Sequence, residues 1–210
     1  QKLDKHRAAL PVAAFNATDF ANKFWAETLP VCMAEASEIT EVLKTLEQNP
    51  QKAFENYGKK LGISKTGYFM VRGEGMIEEV RDEFVVVGQS GRKIRVATDF
   101  IFGNAVRDGS GKVNINDFLN MTDFNNVSVA LNRLVKQNVV SRLRDSAAVG
   151  KWRVVTGAFE VSEIDTVLSG ILIIPVSECR FSLFPAASSF PSGLLFSRLL
   201  PRLLLQAGRP

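Results

Sequence analysis

Apolar residues recur every three or four positions through residues 1–62, and this spacing predicts three short amphipathic helices. Thr18 is a candidate N-cap for the first helix, and Pro30 is expected to break or kink it. Asn49 and Pro50 suit the N-cap and the first turn of the third helix. The second helix has the clearest apolar stripe: Ile39, Val42, Leu43 and Leu46. We therefore predict a small helical module over residues 1–62.

After this module the period changes from 3.6 to 2, which predicts β-strands. The expected strands are Tyr68–Val80, Phe84–Val87 and Lys93–Thr98. The extended run is expected to continue over Asp99–Val106, with a further short strand at Val113–Ile115. Gly73 and Gly75 lie within the first strand, where two glycines usually mark a bulge or a sharp coil.

One long helix and two strands complete the pattern. Asp123 is the candidate cap of the helix, which is expected to end before Gly150. The last strands are predicted at Trp152–Val161 and Gly170–Val176. Three strand regions, a helix and two strands follow in the order of an oligonucleotide/oligosaccharide-binding (OB) barrel, although other small mixed barrels share it. The predicted fold class is α+β: the helical module followed by an OB-like mixed β-barrel with one plug helix over residues 63–178.

The composition changes abruptly in residues 179–210. This segment contains no Asp, Glu or Lys, and it combines many Leu with Arg and four prolines. We expect an atypical Leu/Arg/Pro tail that is disordered or non-native. An amphipathic helix on a membrane surface is the alternative.

The rest of the chain has no excess of positive charge. The formal net charge of +4 reflects 26 Lys and Arg against 22 Asp and Glu over 210 residues. Four of the Arg lie beyond Glu178, so residues 1–178 carry 22 charges of each sign. Nucleic-acid binders concentrate Lys and Arg on the folded part, so no nucleic-acid partner is expected.

Several kinds of catalytic site are excluded by residue type. His6 is the only histidine, which excludes Ser-His-Asp and Cys-His catalysis and histidine zinc sites. Cys32 and Cys179 either pair, if the two ends of the chain meet, or remain separate buried thiols. Gly73–Glu78 and Ser110–Val113 fail the dinucleotide and phosphate-loop patterns. No metal and no cofactor is therefore expected.

Four residues are candidates for ligand binding: Arg107, Asp108, Glu74 and Asp117. Arg107 is expected to form a structural ion pair with Asp117, Asp123 or Glu74, or to present its guanidinium to a carboxylate or to sugar hydroxyls. No catalytic residue is predicted. Glu74, Asp108 and Asp117 are the carboxylates that a general acid/base mechanism would use, but nothing in their spacing requires one.

Aromatic residues are numerous for a chain of this size. Such rings form stacking platforms for bases or sugars, although most of them are expected in the core. The aromatic residues considered are Phe15, Phe20, Phe24, Trp25, Tyr68, Phe69, Phe100, Phe102, Phe118, Phe124 and Trp152.

Several motifs together resemble a known bacterial family. They are Phe15, Phe20 and Trp25, then Asn56–Gly58, Val71–Gly75, Gly103–Asp108, Asn116–Phe118 and Thr156–Phe159. Over about residues 12–178 the chain resembles the predicted periplasmic lipoproteins, domain of unknown function twenty-two ninety-one. The resemblance implies a helical domain with an OB-like barrel, export, a lipid-anchored N-terminus and genes near those of sugar ABC transporters. It supplies no catalytic residues.

The expected function follows from this resemblance. The chain begins at Gln1 without a signal peptide or lipobox, so the lipid anchor is expected in a longer precursor. We expect a non-enzymatic accessory or binding lipoprotein of the periplasm or cell envelope. Its expected partners are components of a sugar ABC transporter or a carbohydrate. The alternatives are an oligonucleotide-binding barrel and a carboxylate-based hydrolase.

Overall fold

The structure is a computed structural model that describes residues 15–62, 64–164, 168 and 170–180, with only the backbone of residues 179 and 180. The expectations about His6 and about the tail beyond residue 180 lie outside the described residues.

The first helix, α1 (Ala17–Lys23), begins earlier than the sequence indicates. Its N-cap is Asn16, whose side-chain oxygen accepts hydrogen bonds from the backbone N–H groups of Thr18 and Asp19 at 3.0 and 3.2 Å. The prediction of Thr18 as the cap was wrong because an amide side chain two residues earlier satisfies the free N–H groups of the first turn.

Pro30 does not end this helix. A five-residue π-helical segment, Phe24–Thr28, joins α1 directly to α2 (Leu29–Ala34). The backbone N–H of Leu29 bonds to the carbonyl of Phe24, five residues back. This change of hydrogen-bond register comes immediately before Pro30, which therefore occupies the first turn of a new α-helical segment, where a missing N–H is tolerated.

The next helices are α3 (Ile39–Gln48) and α4 (Pro50–Asn56). All four apolar residues of the predicted stripe on α3 are buried. Asn49 caps α4 through its side-chain oxygen, as predicted. Two short strands flank this pair, β1 (Ser37–Glu38) and β2 (Lys59–Lys60), and both pair with the first long strand of the barrel.

Five longer strands form a closed barrel: β3 (Thr66–Val80), β4 (Phe84–Gln89), β5 (Arg92–Ala97), β6 (Trp152–Ser162) and β7 (Leu172–Arg180). The strand order is β3-β4-β5-β7-β6, and β6 pairs again with β3. The β5–β7 pairing is parallel, whereas the other pairings between these five strands are antiparallel. With the long helix between the third and fourth of these strands, this is the predicted OB-like barrel.

The segment between β5 and the long helix differs from the prediction. The expected extended run over Asp99–Val106 gives way to a short helix, α5 (Ala105–Gly109). The expected strand at Val113–Ile115 is absent, and a 3-10 turn covers Ile115–Asp117. A helix of five residues is too short to show a 3.6-residue period, so its conformation depends on tertiary contacts.

The long helix starts at α6 (Met121–Val135) and continues through a π-helical segment, Lys136–Val140, into α7 (Ser141–Ser146). Asn120 is its N-cap, and Asp123 instead donates its backbone N–H to the Asn120 side chain at 2.8 Å. None of the described helices is long and apolar enough to cross a membrane.

Two hydrophobic clusters bury opposite faces of the strands. All five barrel strands contribute to the first cluster, which also includes α3, α4 and Leu143 of α7. The second cluster covers the outer face of β3, β6 and β7 with α1, α2, α5 and α6. Residues 17–62 therefore pack on the barrel through both clusters. The division of the chain between residues 62 and 63 stays a prediction.

Candidate functional site

Arg107 and Asp108 form a buried ion pair on α5, with 2% and 7% of their surfaces exposed. The Arg107 Nε and Nη2 groups donate to the two carboxylate oxygens of Asp108 at 2.6 and 3.0 Å. Nη1 donates to the carbonyl oxygen of Phe124 at 2.9 Å, and the guanidinium lies 3.5 Å from the centroid of the Phe124 ring. The geometry is that of a structural pair that fixes α5 against α6.

The partner of Arg107 is its neighbour in sequence. The prediction of a pair with Asp117, Asp123 or Glu74 was wrong. Glu74 and Asp117 are exposed, and the Asp123 carboxylate accepts a hydrogen bond from the Asn120 amide at 2.9 Å. Both Arg107 and Asp108 are buried on α5, and the Asp108 carboxylate lies within hydrogen-bond distance of the guanidinium.

The carboxylates considered for acid/base catalysis do not meet. Asp108 is close enough to Tyr68 of β3 that its charge contributes to the raised pKa of the Tyr68 hydroxyl. Glu74 is six residues further along the same strand, which corresponds to roughly 20 Å. Asp117 is exposed beyond α5, and Asp108 is held by Arg107. A ligand-binding role for these residues stays a prediction.

A row of polar residues crosses the sheet beneath α5. Tyr68 pairs in register with Lys59 of β2 and with Glu160 of β6, so the three side chains lie on one face. Burial raises the pKa of Tyr68, and so do the charges of Asp108 and Glu160. Glu160 is exposed, but partial desolvation of its carboxyl group and, to a lesser degree, the charge of Asp108 raise its pKa. Lys59 thus lies at one side of the short helix α5, which we call the cation side. Glu160, which forms no ion pair with a described residue, lies at the other, the carboxylate side.

Two exposed aromatic side chains lie on the carboxylate side of α5. Phe102 is 71% exposed and Phe100 is 56% exposed. Phe102 lines two neighbouring cavities, which we call the α6 cavity, of about 570 Å³, and the β6–β7 cavity, of about 320 Å³. The α6 cavity is lined by Ile101, Phe102, Gly103, Asn104, Asn125, Ser128, Val129, Asn132, Arg133 and Lys136. The β6–β7 cavity is lined by Phe100, Phe102, Gly103, Ala105, Phe159, Glu160, Gly170, Ile171, Leu172 and Ile174.

Apart from Asn104, the polar side chains of the α6 cavity come from one face of α6 and from Lys136, which follows it. The Asn132 amide donates to the carbonyl of Gly103 at 2.9 Å, which holds the segment that carries Phe102 against the helix. Ser128 is buried, and its hydroxyl has no hydrogen-bond partner among the described residues. The site therefore joins exposed rings to amides, a hydroxyl and charged groups, as ligand pockets commonly do.

Phe100 and Phe102 were predicted only as two of many aromatic residues, and the polar residues of α6 were not predicted as part of a site. Asn125, Asn132 and Lys136 recur at helical spacing opposite the apolar stripe, which is also the pattern of an ordinary solvated face. Only the position of Phe102 beside this polar face of α6 distinguishes the face from an ordinary solvated one.

A second crevice lies on the cation side of α5. It encloses about 550 Å³ and is lined by three lysines and Asp108, among other residues. Lys60 pairs with Glu163, and Lys112 pairs with Glu35 at 3.3 Å. None of the described residues that line this crevice is aromatic.

Cys32 is a buried free thiol, so the alternative of separate thiols holds for it. Its sulfur lies 3.8 Å from the carbonyl oxygen of Ser110, and burial raises the pKa of the thiol. It is thus held in the unreactive protonated form. No group of His, Cys, Asp and Glu that would hold a metal ion occurs in the described part of the chain.

The closed five-stranded barrel with its helix between the third and fourth strands defines an OB-fold protein, and one solved structure supports this fold. The chain is similar to an OB-fold protein from Thermotoga maritima, with a TM-score of 0.71 and 27% sequence identity, over 79% of this chain and 98% of that one. Residues 1–177 match the family of predicted periplasmic lipoproteins (DUF2291), and the chain belongs to this family. The family resemblance, the α+β OB-like fold and the periplasmic, membrane-anchored location are thereby confirmed. No significant match is found among curated proteins.

Proposed function

We propose that this lipoprotein is a non-enzymatic binding protein for carbohydrate that serves a sugar ABC transporter of the cell envelope. The observation that carries the proposal is the exposed Phe102 ring between two cavities with amide, guanidinium and carboxylate linings. A sugar presents an apolar C–H face and a polar rim, and this arrangement offers a surface for each.

The ring supplies the apolar contact. Phe102 is held by the neighbouring Asn132–Gly103 hydrogen bond and exposes most of its surface, so a sugar can stack on it with little reorganisation. The amides of Asn125 and Asn132 donate and accept, which suits hydroxyl groups. The described loop residues Gly170 and Ile171 complete the β6–β7 cavity, at the loop between the fourth and fifth barrel strands that OB folds use for oligosaccharides.

The two alternative functions have weaker support. The Phe84 ring on β4, part of the barrel surface that nucleic-acid-binding OB folds use, has the guanidinium groups of Arg81 and Arg95 over it at 5.5 and 5.4 Å. These side chains compete with a base for the ring. A hydrolase would need two carboxylates close together, and Glu74, Asp108 and Asp117 are separated.

The role beside a transporter rests on the family. Its members are described as periplasmic lipoproteins, which places the site in the compartment through which imported sugars pass. The expected gene neighbourhood with sugar ABC transporters supports the same partner.

The test is calorimetric titration of the protein with neutral and acidic mono- and disaccharides, for wild type and for Phe102→Ala. Stacking on an aromatic side chain contributes about 1–3 kcal/mol, so the variant is expected to weaken binding by at least about fivefold. Leu119→Ala is the matched control, since Leu119 is 85% exposed and lies outside both cavities. Equal affinities for wild type and Phe102→Ala would contradict the proposal, as would the absence of any binding up to about 10 mM.

A further inference from the structure

The α6 cavity contains two cationic side chains and no acidic one. Arg133 and Lys136 both line it, and the other polar side chains in its wall are the amides of Asn104, Asn125 and Asn132 and the Ser128 hydroxyl. Neither cation forms an ion pair with a described acidic residue. The described residues that line the cavity therefore carry a net positive charge that no described acidic residue neutralises through an ion pair.

The two cations lie together at one end of the cavity. Asn125, Val129, Arg133 and Lys136 follow at intervals of four, four and three residues, so they lie in a row along one face of α6. Asn125 begins this row and the cations end it. Phe102 lies across from the row, at the junction with the β6–β7 cavity.

The other cavity has the opposite charge. Among the described residues that line it, Glu160 is the one charged residue, and no described cation forms an ion pair with it. A negatively charged group is repelled from that side of Phe102 and attracted to the α6 side. The charge distribution thus both selects a ligand and sets its orientation.

We propose that the sugar bound here carries an anionic group, a carboxylate or a phosphate, and that Arg133 and Lys136 hold this group while the sugar ring stacks on Phe102. This inference rests on the proposed function and names its substrate class. A guanidinium matches either anion with two parallel hydrogen bonds, and charge-assisted hydrogen bonds are about twice as strong as neutral ones. A neutral sugar would leave both cations without a counter-charge when it covered the cavity.

The experiment compares matched pairs of ligands by calorimetry: glucose with glucuronate and with glucose 6-phosphate, and galactose with galacturonate. At least one acidic member is expected to bind about tenfold more tightly than its neutral partner. Glucuronate and glucose 6-phosphate distinguish a carboxylate from a phosphate. The preference should fall as salt rises from about 0.05 to 0.5 M.

Two double variants assign the preference to the cavity. Arg133→Gln with Lys136→Gln is expected to reduce the ratio between acidic and neutral sugar to less than about threefold. Lys44→Gln with Arg142→Gln removes the same charge from exposed positions on α3 and α7, outside the cavity, and should leave the ratio unchanged. Thermal unfolding of each variant confirms that the fold is retained.

Three results would overturn the inference: equal binding of neutral and acidic sugars, a preference that survives in Arg133→Gln with Lys136→Gln, or no binding of any acidic sugar up to about 10 mM. Single-stranded DNA that bound more tightly than every acidic sugar, and through the same two cations, would also overturn it. If neutral sugars bind through Phe102 and charge has no effect, the proposed function stands and only this inference fails. If Phe102→Ala leaves all sugar binding unchanged, the proposed function itself fails.

Discussion

At the scale of single residues, the buried ion pair between Arg107 and Asp108 has a structural role. Arg107 is almost fully buried, yet three of its nitrogen atoms donate hydrogen bonds within α5 and to α6. A buried charge is tolerated only with such partners, because removal from water costs several kcal/mol. The pair therefore ties α5, a segment that the sequence pattern predicts as extended, to α6.

Arg107→Ala is expected to lower the free energy of unfolding by about 3–5 kcal/mol, because Asp108 would remain buried without a partner. Arg107→Lys should also destabilise, since an ammonium cannot form the two parallel bonds. Urea denaturation measures both effects. Arg142→Ala, at an exposed position, is the control and should change stability by no more than about 0.5 kcal/mol. A loss below about 1 kcal/mol for Arg107→Ala would show that the pair does not hold α5 in place.

The raised pKa of Glu160 gives a second expectation at this scale. Because the folded protein binds this proton more tightly than the unfolded chain does, the stability it contributes is present below the unfolded pKa. That contribution is lost as pH rises through the folded pKa. Glu160→Gln should therefore raise the melting temperature near pH 7, and the gain should shrink as pH falls towards about 4.

Glu27→Gln, at an exposed position on the π-helical segment after α1, is the control for this effect. A gain in melting temperature for Glu160→Gln that is independent of pH, or that grows in acid, would contradict this expectation. It would show that the surroundings do not destabilise the ionised form of Glu160.

At the scale of elements, both long helices contain a π-helical segment, and in each case a local cause is visible. Pro30 follows the first segment. At the end of the second, the Ser141 hydroxyl donates to the carbonyls of Lys136 and Gln137, at 2.8 and 3.1 Å. The Lys136 carbonyl also accepts the backbone N–H of Ser141, five residues on, so the hydroxyl adds a second donor at the widened turn.

The strand β3 changes partners along its length, and Gly75 lies where it does so. It pairs with β6 up to Met76 and with β4 from Met76 onward. A Cβ at Gly75 would lie 2.2 Å from the carbonyl oxygen of Gly88, a contact that neither backbone can relieve without shifting. The glycine thus permits the close approach of two strands, and the register shift lies beyond it, between Ile77 and Glu79.

Gly75→Ala is therefore expected to destabilise the protein by about 1–3 kcal/mol or more, since overpacking against backbone forces the strands apart. Met76→Ala is the matched control on the same strand, because Met76 is 45% exposed and its truncation leaves the strands in place. Chemical denaturation of the two variants compares them directly. Equal stability of Gly75→Ala and wild type would mean that β3 and β4 are not held this close.

For the whole molecule, the balance of charge gives an expectation about nucleic acid as a partner. Acidic and basic side chains are equal in number over residues 1–178. Phosphate neutralisation supplies most of the non-specific affinity for nucleic acid, and that affinity falls steeply with salt. An OB fold by itself therefore does not indicate nucleic-acid binding here.

A chain cut after Arg180, which keeps all of β7, is expected to bind single-stranded DNA no more tightly than about 1 mM at about 0.15 M salt. Fluorescence anisotropy with a labelled oligonucleotide measures this affinity, and the full chain serves as the comparison. Micromolar binding with a steep dependence on salt would contradict the proposed role as a carbohydrate-binding accessory protein.

The sequence by itself determined the order of the barrel strands and of the longer helices, because amphipathic periods are local properties of the chain. The stripe on α3, the Asn49 cap and all five barrel strands were predicted and confirmed, and with them the OB-like fold. The first cap and the cap of α6 were missed, since an Asn precedes each predicted cap by two or three residues and either residue type fits the position.

The site was decided by the tertiary structure alone. Phe102 and Asn132 are 30 residues apart in the chain, and the Asn132–Gly103 hydrogen bond holds the exposed ring beside the polar face of α6. Likewise, α5 is joined to the next helix by the hydrogen bond from Arg107 to the carbonyl of Phe124, 17 residues later in the chain. No period or motif reports such contacts, because they join segments whose separation in space is fixed only when the two hydrophobic clusters have formed.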